Sequence, residues 1–355
     1  MTKPISIPRF ADDVTAAWLT DVLRAQVTAV DVVAVGTGQT GATYRVSPTY
    51  AADPAALPET FVVKLPAADD TVRDRVVLGY RSECAFYEKV AHRVRVPVPI
   101  CFHCEISDDA MNYALLLTDE APAVQGDQIL GCDEAQARLA VRAIAGLHGP
   151  TWNQDEWLSF PGLAMSMLDD ASKKGMGEVA VMSADITVDK LGATLEPADR
   201  DTLLEAMELV TPWLADLGRF SLIHGDYRLD NLLFHPDGSQ VWVVDWQTLG
   251  VGLPARDLAY FAATSLEPRL RARLDRTLVA EYHQALLDQG VAGYDLETCW
   301  HDYRYGMIQA PLISALGFAF AVGTDRGDDM VATMLRRGCR AVRELGTAEL
   351  VRARG

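Results

Sequence analysis

The chain has 355 residues, which is long enough for two lobes, and its composition of 49% hydrophobic and 23% charged residues is typical of a globular protein. Its formal net charge of −17 argues against nucleic acid and against an anionic membrane surface as partners, because both attract positively charged surfaces. Residues 1–30 lack the basic start and apolar core of a secretory signal, and the longest apolar run, 310–323, is short for a membrane span. We therefore expect a cytoplasmic protein.

Two elements are predicted before residue 50. Residues 11–26 carry apolar side chains at helical spacing and predict an amphipathic helix without a functional residue. Residues 31–46 predict a strand, a turn containing Gly36, Gly38 and Gly41, and a second strand. A helix would follow the glycines in a dinucleotide-binding turn, whereas the residues here alternate as in a strand. The pattern favours a hairpin whose backbone amides cover phosphate groups.

An apolar strand is predicted over residues 61–65, and it contains Lys64. A lysine in an apolar run needs an anionic partner, although a lysine on an edge strand that blunts sheet pairing is the alternative. Because this strand follows a glycine hairpin, we predict that Lys64 contacts the α- and β-phosphates of a nucleotide. The helix predicted over 75–92 offers Glu83 and Glu88 as partners, and the spacing to the adjacent aromatic pair favours Glu83.

The middle of the chain predicts the division between the lobes. A buried strand over 113–117 ends in a polar segment that contains proline, which suits a crossing between lobes, so we place an N-terminal lobe at 1–120 and a C-terminal lobe at 121–355. A long helix is predicted over 133–148. The segment 152–208 is rich in methionine and aromatic residues, and we expect part of it to line an acceptor pocket.

The most informative stretch is a predicted hairpin near the middle of the C-terminal half. Apolar runs at 232–234 and 241–244 flank a His-Pro-Asp-Gly-Ser turn. In an antiparallel hairpin the first residue of one strand lies beside the last residue of its partner, so Asn231 and Asp245 should emerge side by side. Asp226 precedes Asn231 by five residues and brings a third oxygen-bearing side chain to the same end.

This set of oxygen ligands predicts a chemistry. Ligands that offer only oxygen suit Mg²⁺, which binds one or two carboxylates together with substrate phosphates. An Asp followed five residues later by Asn, with an Asp after the next strand, matches an arrangement for phosphoryl transfer. There Asp226 would receive the proton of the acceptor's hydroxyl, and Asn231 and Asp245 would bind the metal. The alternative is a surface hairpin with polar flanks.

The segment after the hairpin bears on the acceptor. Asp257 at the start of a predicted helix suits an N-terminal cap, a role compatible with supporting the loop around Asp226. Eleven residues separate Asp245 from Asp257, too few for the long activation loop on which a protein kinase binds a peptide, and the Ala-Pro-Glu signature is absent from the sequence. The acceptor is therefore expected to be a small molecule.

Taken in order, these motifs resemble those of the aminoglycoside/choline-kinase-like phosphotransferases. Asp245-Trp246-Gln247 and the later Asp257-Leu258-Ala259-Tyr260 resemble most the branch that contains ecdysteroid-kinase-like enzymes. The resemblance covers roughly residues 10–345, with its specific motifs between 223 and 261. It implies an α+β protein with a two-lobed protein-kinase-like fold: a small N-terminal lobe with an antiparallel sheet, a larger and mostly helical C-terminal lobe, and ATP and Mg²⁺ between them.

The resemblance also implies a role for each matching residue. Asp226 would be the catalytic base, Asn231 and Asp245 the metal ligands, Lys64 the phosphate contact and Glu83 its partner. His224 would support the loop, and Arg228 stands where protein kinases carry a lysine, so we hypothesise that it contacts the transferred phosphate. The expected function is transfer of the γ-phosphate of ATP to a hydroxyl of a small organic molecule.

Two rival functions remain open at this stage. One is a catalytically silent nucleotide-binding module that regulates a partner, and the other, disfavoured by the short segment after Asp245, is a protein kinase. Aminoglycoside, macrolide, choline-like, sugar and steroid-like acceptors all fit the motifs. The acidic composition slightly favours a cationic acceptor, whereas the methionine-rich segment slightly favours an apolar one.

Overall fold

The computed structural model of the chain describes residues 7–35, 41–52, 56–191, 193–215, 217–320 and 325–354. The strands in these ranges are β1 (Val27–Ala34), β2 (Gly41–Tyr50), β3 (Phe61–Pro66), β4 (Cys101–Ile106), β5 (Tyr113–Thr118), β6 (Val124–Gln125), β7 (Ser221–Ile223), β8 (Leu232–Phe234), β9 (Val241–Val243) and β10 (Gly250–Gly252). The α-helices are α1 (Ala16–Leu23), α2 (Asp70–Ala85), α3 (Glu134–His148), α4 (Asp170–Leu191), α5 (Pro197–Glu208), α6 (Val210–Trp213), α7 (Ala255–Ser265), α8 (Pro268–Asp288), α9 (Leu296–Tyr305), α10 (Gln309–Phe320), α11 (Asp325–Glu344) and α12 (Thr347–Arg352).

The N-terminal strands form one antiparallel sheet in the order β1-β2-β3-β5-β4. Phe61, Val63 and Leu65 of β3 belong to the hydrophobic cluster that includes α1. Successive side chains of a strand point to opposite faces, so Lys64 lies on the other face of the sheet. Because β3 pairs with β2 on one side and with β5 on the other, the edge-strand explanation for Lys64 is wrong.

Helix α2 packs against the face of the sheet that carries Lys64. Asp69 caps it by accepting hydrogen bonds from the backbone N–H groups of Thr71 and Val72 at 2.7 and 3.2 Å. The helix continues into a π-helical turn, Phe86–Val90, and a 3-10 turn, Ala91–Arg93. The helix predicted over 75–92 is therefore present, but it begins earlier and changes its geometry after Ala85.

The rest of the chain is mostly helical and contains two small sheets. β8 and β9 form the predicted hairpin, with β6 paired to β8, while β7 pairs with β10. One large hydrophobic cluster of the described residues includes Tyr80 of α2, Leu115 of β5 and Trp246 after the hairpin, so the sheet and the helical part share packing. A second cluster joins α4, α5, α10 and α11.

The predicted fold class is confirmed: the protein is α+β, with an antiparallel N-terminal sheet and a mostly helical remainder. The division at 120/121 stays a prediction, although β5 is the last strand in sequence of the N-terminal sheet and β6 already pairs with β8. The helix predicted over 11–26 is shorter than expected, because Thr15 caps it and residues 11–13 form a separate turn. Within the described ranges, none of the helices is both long and apolar enough to cross a membrane.

Candidate functional site

Asp226 lies on the loop of residues 224–231, here called the Asp226 loop, and its carboxylate accepts hydrogen bonds from three side chains. Tyr260 of α7 donates its hydroxyl hydrogen to Oδ1 at 2.8 Å, and Asn231 donates from Nδ2 to Oδ2 at 3.0 Å. Arg228 donates from Nε to both oxygens, at 3.1 and 3.0 Å. The Asp226 side chain is 23% exposed. A carboxylate that is oriented in this way and still accessible can receive a proton from a hydroxyl group.

Arg228 links two carboxylates of the same loop. Besides Asp226, its guanidinium contacts Asp230, where Nη1 lies 2.7 Å from Oδ2. Burial alone would lower the pKa of Arg228, but the negative charges around it, that of Asp226 above all, raise it. The guanidinium therefore orients Asp226 in this structure, and its predicted contact with a transferred phosphate stays a prediction.

Asp257 of α7 binds the backbone of the Asp226 loop through hydrogen bonds. The carboxylate of Asp257 accepts hydrogen bonds from the backbone N–H groups of His224 and Gly225, at 2.6 and 2.9 Å. His148 lies 3.2 Å from the same carboxylate. Burial would raise the pKa of Asp257, but the hydrogen bond from His148 and the neighbouring charges bring it below its usual value. Of the two predicted roles, the structure supports the loop-supporting one, since Pro254 occupies the N-cap of α7.

Gly225 has a backbone conformation that other residues adopt rarely, with φ of +84°. A Cβ atom at this position would lie 2.1 Å from Cε of Met165 and 2.6 Å from the backbone oxygen of Thr248. Both the left-handed geometry and the close backbone approach require glycine here. The loop therefore turns tightly just before Asp226.

His224 is fully buried and connects the Asp226 loop to the hairpin. Its Nδ1 accepts a hydrogen bond from the backbone N–H of Asp226 at 3.3 Å, and Nε2 lies 3.0 Å from the backbone oxygen of Val244. These two partners fix the neutral tautomer that carries its proton on Nε2. His224 thus lies between the Asp226 loop and Val244, and its supporting role stays a prediction.

The hairpin brings Asn231 close to Asp245, but its register differs by one residue from the expectation. Leu232 pairs with Val243, and the backbone N–H of Val244 donates to the backbone oxygen of Asn231 at 3.0 Å. Asn231 therefore lies opposite Val244, and Asp245 follows with φ of +67°. The pairing is set by the end of the hairpin near the turn, where Phe234 lies opposite Val241. Three residues earlier than Phe234, Asn231 therefore lies opposite Val244, and Asp245 is one residue further along.

The side chains of Asn231 and Asp245 fit the requirements of a hard cation. Asn231 uses its Nδ2 to donate to Asp226, which leaves its amide oxygen as the group available for a ligand. Oδ1 of Asp245 is buried and accepts no hydrogen bond within the described ranges. The ammonium group of Lys64 lies 3.6 Å from this oxygen, and a directly bound metal ion would stabilise the buried oxygen further. No group of three or more His, Cys, Asp and Glu residues suited to a metal occurs in the part of the chain that the structure describes, and Mg²⁺ needs only one or two carboxylates beside phosphate and water.

Lys64 and Glu83 form a buried ion pair next to Asp245. Nζ of Lys64 lies 2.5 Å from Oε1 of Glu83 and 3.6 Å from Oδ1 of Asp245. Burial would lower the pKa of Lys64, but Asp245 and Glu83 raise it, so the ammonium group stays charged. Glu83 also accepts weaker hydrogen bonds from Trp246 and Gln247, both at 3.4 Å. The choice of Glu83 as partner agrees with this geometry, since Glu88 is exposed.

Of the three predicted phosphate-binding glycines, only Gly41 can be placed. Gly36 and Gly38 lie outside the described residues. Gly41 begins β2, where a Cβ atom would lie 3.0 Å from the backbone oxygen of Leu65. Its position shows a close approach to β3, and its contact with a nucleotide stays a prediction.

Some residues of the site were not assigned a role from sequence. Tyr260 stands three residues after Asp257 on α7, and this spacing alone could have placed both on the side of the helix that faces the loop. Gln128 accepts from the backbone N–H of Leu229 at 2.8 Å, and Gln309 donates to the backbone oxygen of Gly225 at 3.1 Å. Both come from distant parts of the chain, and no local pattern marks them.

A cavity of about 230 Å³ lies beside the Asp226 loop. Its walls are mainly apolar and come from the segment 164–168, from the helices α4, α6, α7, α9 and α10, and from the strands β7 and β10 with the residues next to them. Ile223, which precedes the loop, and Met165, which would contact any Cβ at Gly225, both line it. The methionine-rich segment thus contributes a pocket wall, including Met165, Met167 and Met176, for which the sequence had named no residue.

A family model described as the phosphotransferase enzyme family matches residues 31–295. Among solved structures, the chain is similar to a candidate aminoglycoside phosphotransferase from Ralstonia eutropha JMP134, at 19% identity and a TM-score of 0.52, over 93% of this chain and 97% of that one. It is also similar to an ethanolamine kinase from Plasmodium vivax, at 11% identity and a TM-score of 0.51, over 91% and 87%. At these identities the likeness shows a shared fold.

Curated relatives match a short part of the chain. Acyl-CoA dehydrogenase family member 11 of Pongo abelii is 39% identical over 72 residues, which are 19% of this chain and 9% of that protein. Acyl-CoA dehydrogenase family member 10 of Mus musculus is 44% identical over 62 residues, or 16% and 6%. The chain therefore spans less than a tenth of the length of these two relatives. The narrower resemblance to ecdysteroid-kinase-like enzymes stays a prediction.

Proposed function

The chain belongs to the phosphotransferase enzyme family, and we propose that it transfers the γ-phosphate of ATP, with Mg²⁺, to a hydroxyl group of a small organic molecule. One observation carries this proposal. The accessible carboxylate of Asp226 is oriented by three side chains, and the hairpin that follows its loop presents Oδ1 of Asp245, which accepts no hydrogen bond from the described residues. These two groups supply a proton acceptor and a metal ligand, and phosphoryl transfer needs both.

The reaction proceeds by direct displacement in this proposal. The acceptor's hydroxyl gives its proton to Asp226 while its oxygen forms a bond to the γ-phosphorus. The bond from the γ-phosphorus to the oxygen that bridges to the β-phosphate breaks, and ADP leaves with that electron pair. Tyr260, Asn231 and Arg228 hold the carboxylate where the hydroxyl must arrive. Positioning of this kind supplies much of the rate in phosphoryl transfer.

The remaining polar residues act on the nucleotide. Asn231 and Asp245 would hold Mg²⁺ through their side-chain oxygens, and the bound ion supplies positive charge to the β- and γ-phosphates. Lys64 would contact the α- and β-phosphates, and Glu83 keeps its ammonium group in place at 2.5 Å. Nucleotide binding here is supported by the family and by this ion pair.

The similar proteins do not define the acceptor class of this chain. The two similar structures are named for aminoglycosides and for ethanolamine, but they share only the fold with this chain. The curated relatives are named as acyl-CoA dehydrogenases, and the short matches give no basis for proposing that activity here. The short segment between Asp245 and Asp257 supports a small acceptor in place of a peptide.

A screen of hydroxylated small molecules for acceptor-dependent ADP release tests the proposal. We expect release with ATP and Mg²⁺ in the wild-type protein, and none above background in Asp226→Asn, which keeps the shape of the side chain but accepts no proton. ATP binding without turnover on any acceptor would instead support the silent nucleotide-binding module. Transfer of label from ATP to candidate proteins would revive a protein kinase. Parallel assays with GTP establish the nucleotide preference.

A further inference from the structure

The cavity beside the Asp226 loop has an unexpected charge for so acidic a protein. Its lining includes three cationic side chains, Lys173, Arg219 and Arg256, and no Asp or Glu among the residues the structure describes. The remaining walls are dominated by aliphatic, methionine and aromatic side chains. The described lining of the cavity is therefore apolar and cationic, in contrast to the formal net charge of −17 of the whole chain.

Arg256 differs from the other two cations in its partners. Lys173 lies 3.3 Å from Asp170, and Arg219 contacts Asp302 at 2.7 Å. Arg256 forms no ion pair with any carboxylate of the described ranges; its Nε and Nη2 donate to the neutral oxygen of Gln309 at 2.9 and 2.6 Å.

The surroundings of Arg256 make its charge costly. The guanidinium stacks over Trp213 at 4.4 Å, and burial lowers the pKa of Arg256 to about 10. The charge of the neighbouring Asp257 opposes this lowering, but the Asp257 carboxylate lies against His148 and forms no ion pair with Arg256. A largely buried guanidinium without a direct ion pair is unfavourable, and a bound anion would relieve that cost. An Arg guanidinium is also well matched in shape to a carboxylate, which it binds through two parallel hydrogen bonds.

The cavity also adjoins the reacting end of the site. Gln309, which binds Arg256 through its oxygen, donates from its nitrogen to the backbone oxygen of Gly225 at 3.1 Å. Met165 lies against Gly225, the residue before Asp226. A molecule in the cavity therefore lies next to the loop that carries the proposed proton acceptor.

We propose that the acceptor is a compact, largely apolar alcohol that carries a carboxylate, and that Arg256 binds this carboxylate while the hydroxyl reaches Asp226. This inference rests on the proposed function and specifies its substrate class. A volume of about 230 Å³ is below the roughly 300–1,000 Å³ of typical ligand pockets, which favours a compact acceptor. Among the described residues that line the cavity, a polyamine such as an aminoglycoside would meet three cationic side chains and no carboxylate.

Three probes of the same shape but different charge test the proposal. They are the meta isomer of hydroxymethylbenzoate, its methyl ester, and the corresponding hydroxymethylbenzylamine. Binding to the full chain is measured by isothermal titration calorimetry, and phosphorylation by ADP release with ATP and Mg²⁺. In the wild type we expect the carboxylate to bind about tenfold more tightly than the ester, as one charge-assisted pair allows, and the amine to bind least.

Two variants separate recognition by Arg256 from its structural contact with Gln309. Arg256→Met removes the charge and should abolish the preference for the carboxylate over the ester. Gln309→Leu removes the neutral partner but keeps the cation, so it should weaken turnover with both probes and preserve the preference. Arg256→Lys keeps a positive charge but replaces the guanidinium with a single ammonium group, so it should retain part of the preference for the carboxylate over the ester.

The outcomes distinguish this inference from the proposed function. Equal binding of carboxylate and ester, or tighter binding of the amine, overturns the inference, even when the chain phosphorylates alcohols. A carboxylate preference that depends on Arg256, with no phosphorylation of any alcohol, supports the ligand class and overturns the kinase function. An unchanged preference in Arg256→Met also overturns the inference.

Discussion

The hydroxyl of Tyr260 lies 2.8 Å from Oδ1 of Asp226 and donates a hydrogen bond to it. Burial, together with the charge of Asp226, raises the pKa of Tyr260 well above its ordinary value, so the hydroxyl remains a donor across the working pH range. Asp257, one turn earlier on the same helix, holds the backbone of the Asp226 loop. One turn of α7 thus fixes both the backbone and the carboxylate of the proposed proton acceptor.

Replacing Tyr260 by Phe removes one of these fixed donors without removing the ring. We expect kcat to fall about tenfold, equivalent to about 1.4 kcal/mol of transition-state stabilisation, with the KM for ATP unchanged. Steady-state kinetics on the first acceptor found provide the measurement. Tyr303→Phe is the matched control, because Tyr303 is also buried and donates to a carboxylate, that of Asp275, away from the Asp226 loop. An equal loss of kcat in both variants would contradict a role for Tyr260 in orienting Asp226.

Replacing Asp245 by Asn should remove Mg²⁺-dependent nucleotide binding while keeping the fold. Asparagine tolerates the left-handed backbone found at this position, where φ is +67°. Calorimetric titration with ATP should show tighter binding with Mg²⁺ than without it in the wild type, and no such difference in the variant. Asp237→Asn, on the turn of the same hairpin and exposed, should behave as the wild type. Retention of the Mg²⁺ effect in Asp245→Asn would exclude Asp245 as a metal ligand.

Replacing Gly225 by Ala should destabilise the protein more than the same change at Gly238. Both glycines have positive φ, +84° and +73°, so both variants carry the backbone cost of roughly 1–2 kcal/mol. Only at Gly225 would the new Cβ overlap a neighbour, the backbone oxygen of Thr248 at 2.6 Å. Nothing lies within 4 Å of the corresponding atom at Gly238. Urea unfolding should show the larger loss for Gly225→Ala, and equal losses would show that the loop can shift to accept a side chain.

Replacing Asp257 by Asn should destabilise the protein at neutral pH by about 3 kcal/mol, since it breaks a buried, charged network. The pKa of Asp257 is lowered in the folded state, so its charge stabilises the fold above the unfolded pKa, near 3.9, and that contribution is lost as the pH falls through the folded value. The difference in unfolding free energy between wild type and variant should therefore narrow below about pH 4. Urea titrations between pH 7 and pH 3 test this. If the difference in unfolding free energy between wild type and variant stays constant from pH 7 to pH 3, the charge of Asp257 does not contribute to stability.

The sequence predicts those parts of the site that depend on local spacing. The turn chemistry of the hairpin and the position of Asp226 before Asn231 are enough to bring these residues together. The alternation of β3 explains why Lys64 can face Glu83 from a buried strand. The register of β8 and β9 differs by one residue from the prediction. The residues that flank the two strands do not by themselves define which positions of the strands lie opposite each other.

The rest of the site depends on contacts between distant parts of the chain. His148 reaches Asp257 across 109 positions, and Gln309 reaches Gly225 across 84. Neither residue stands in a recognisable motif, and a polar residue on a predicted helix is ordinarily solvent-exposed. The charge of the cavity could not be predicted from composition either: the acidic composition favoured a cationic acceptor, whereas the charged residues in the described lining are Lys173, Arg219 and Arg256.

The stacked rings of Phe86 and Trp246, 3.6 Å apart and 5° from parallel, join the end of α2 to the residue that follows Asp245. Glu83 reinforces this junction through Gln247. Outward movement of α2 would have to separate the two rings and would displace Asp245 as well. In this structure, packing therefore holds together Lys64, Glu83 and Asp245, the groups proposed to bind the nucleotide and its metal. We expect its output to follow the supply of acceptor and the amount of protein made, with no need for an activating modification.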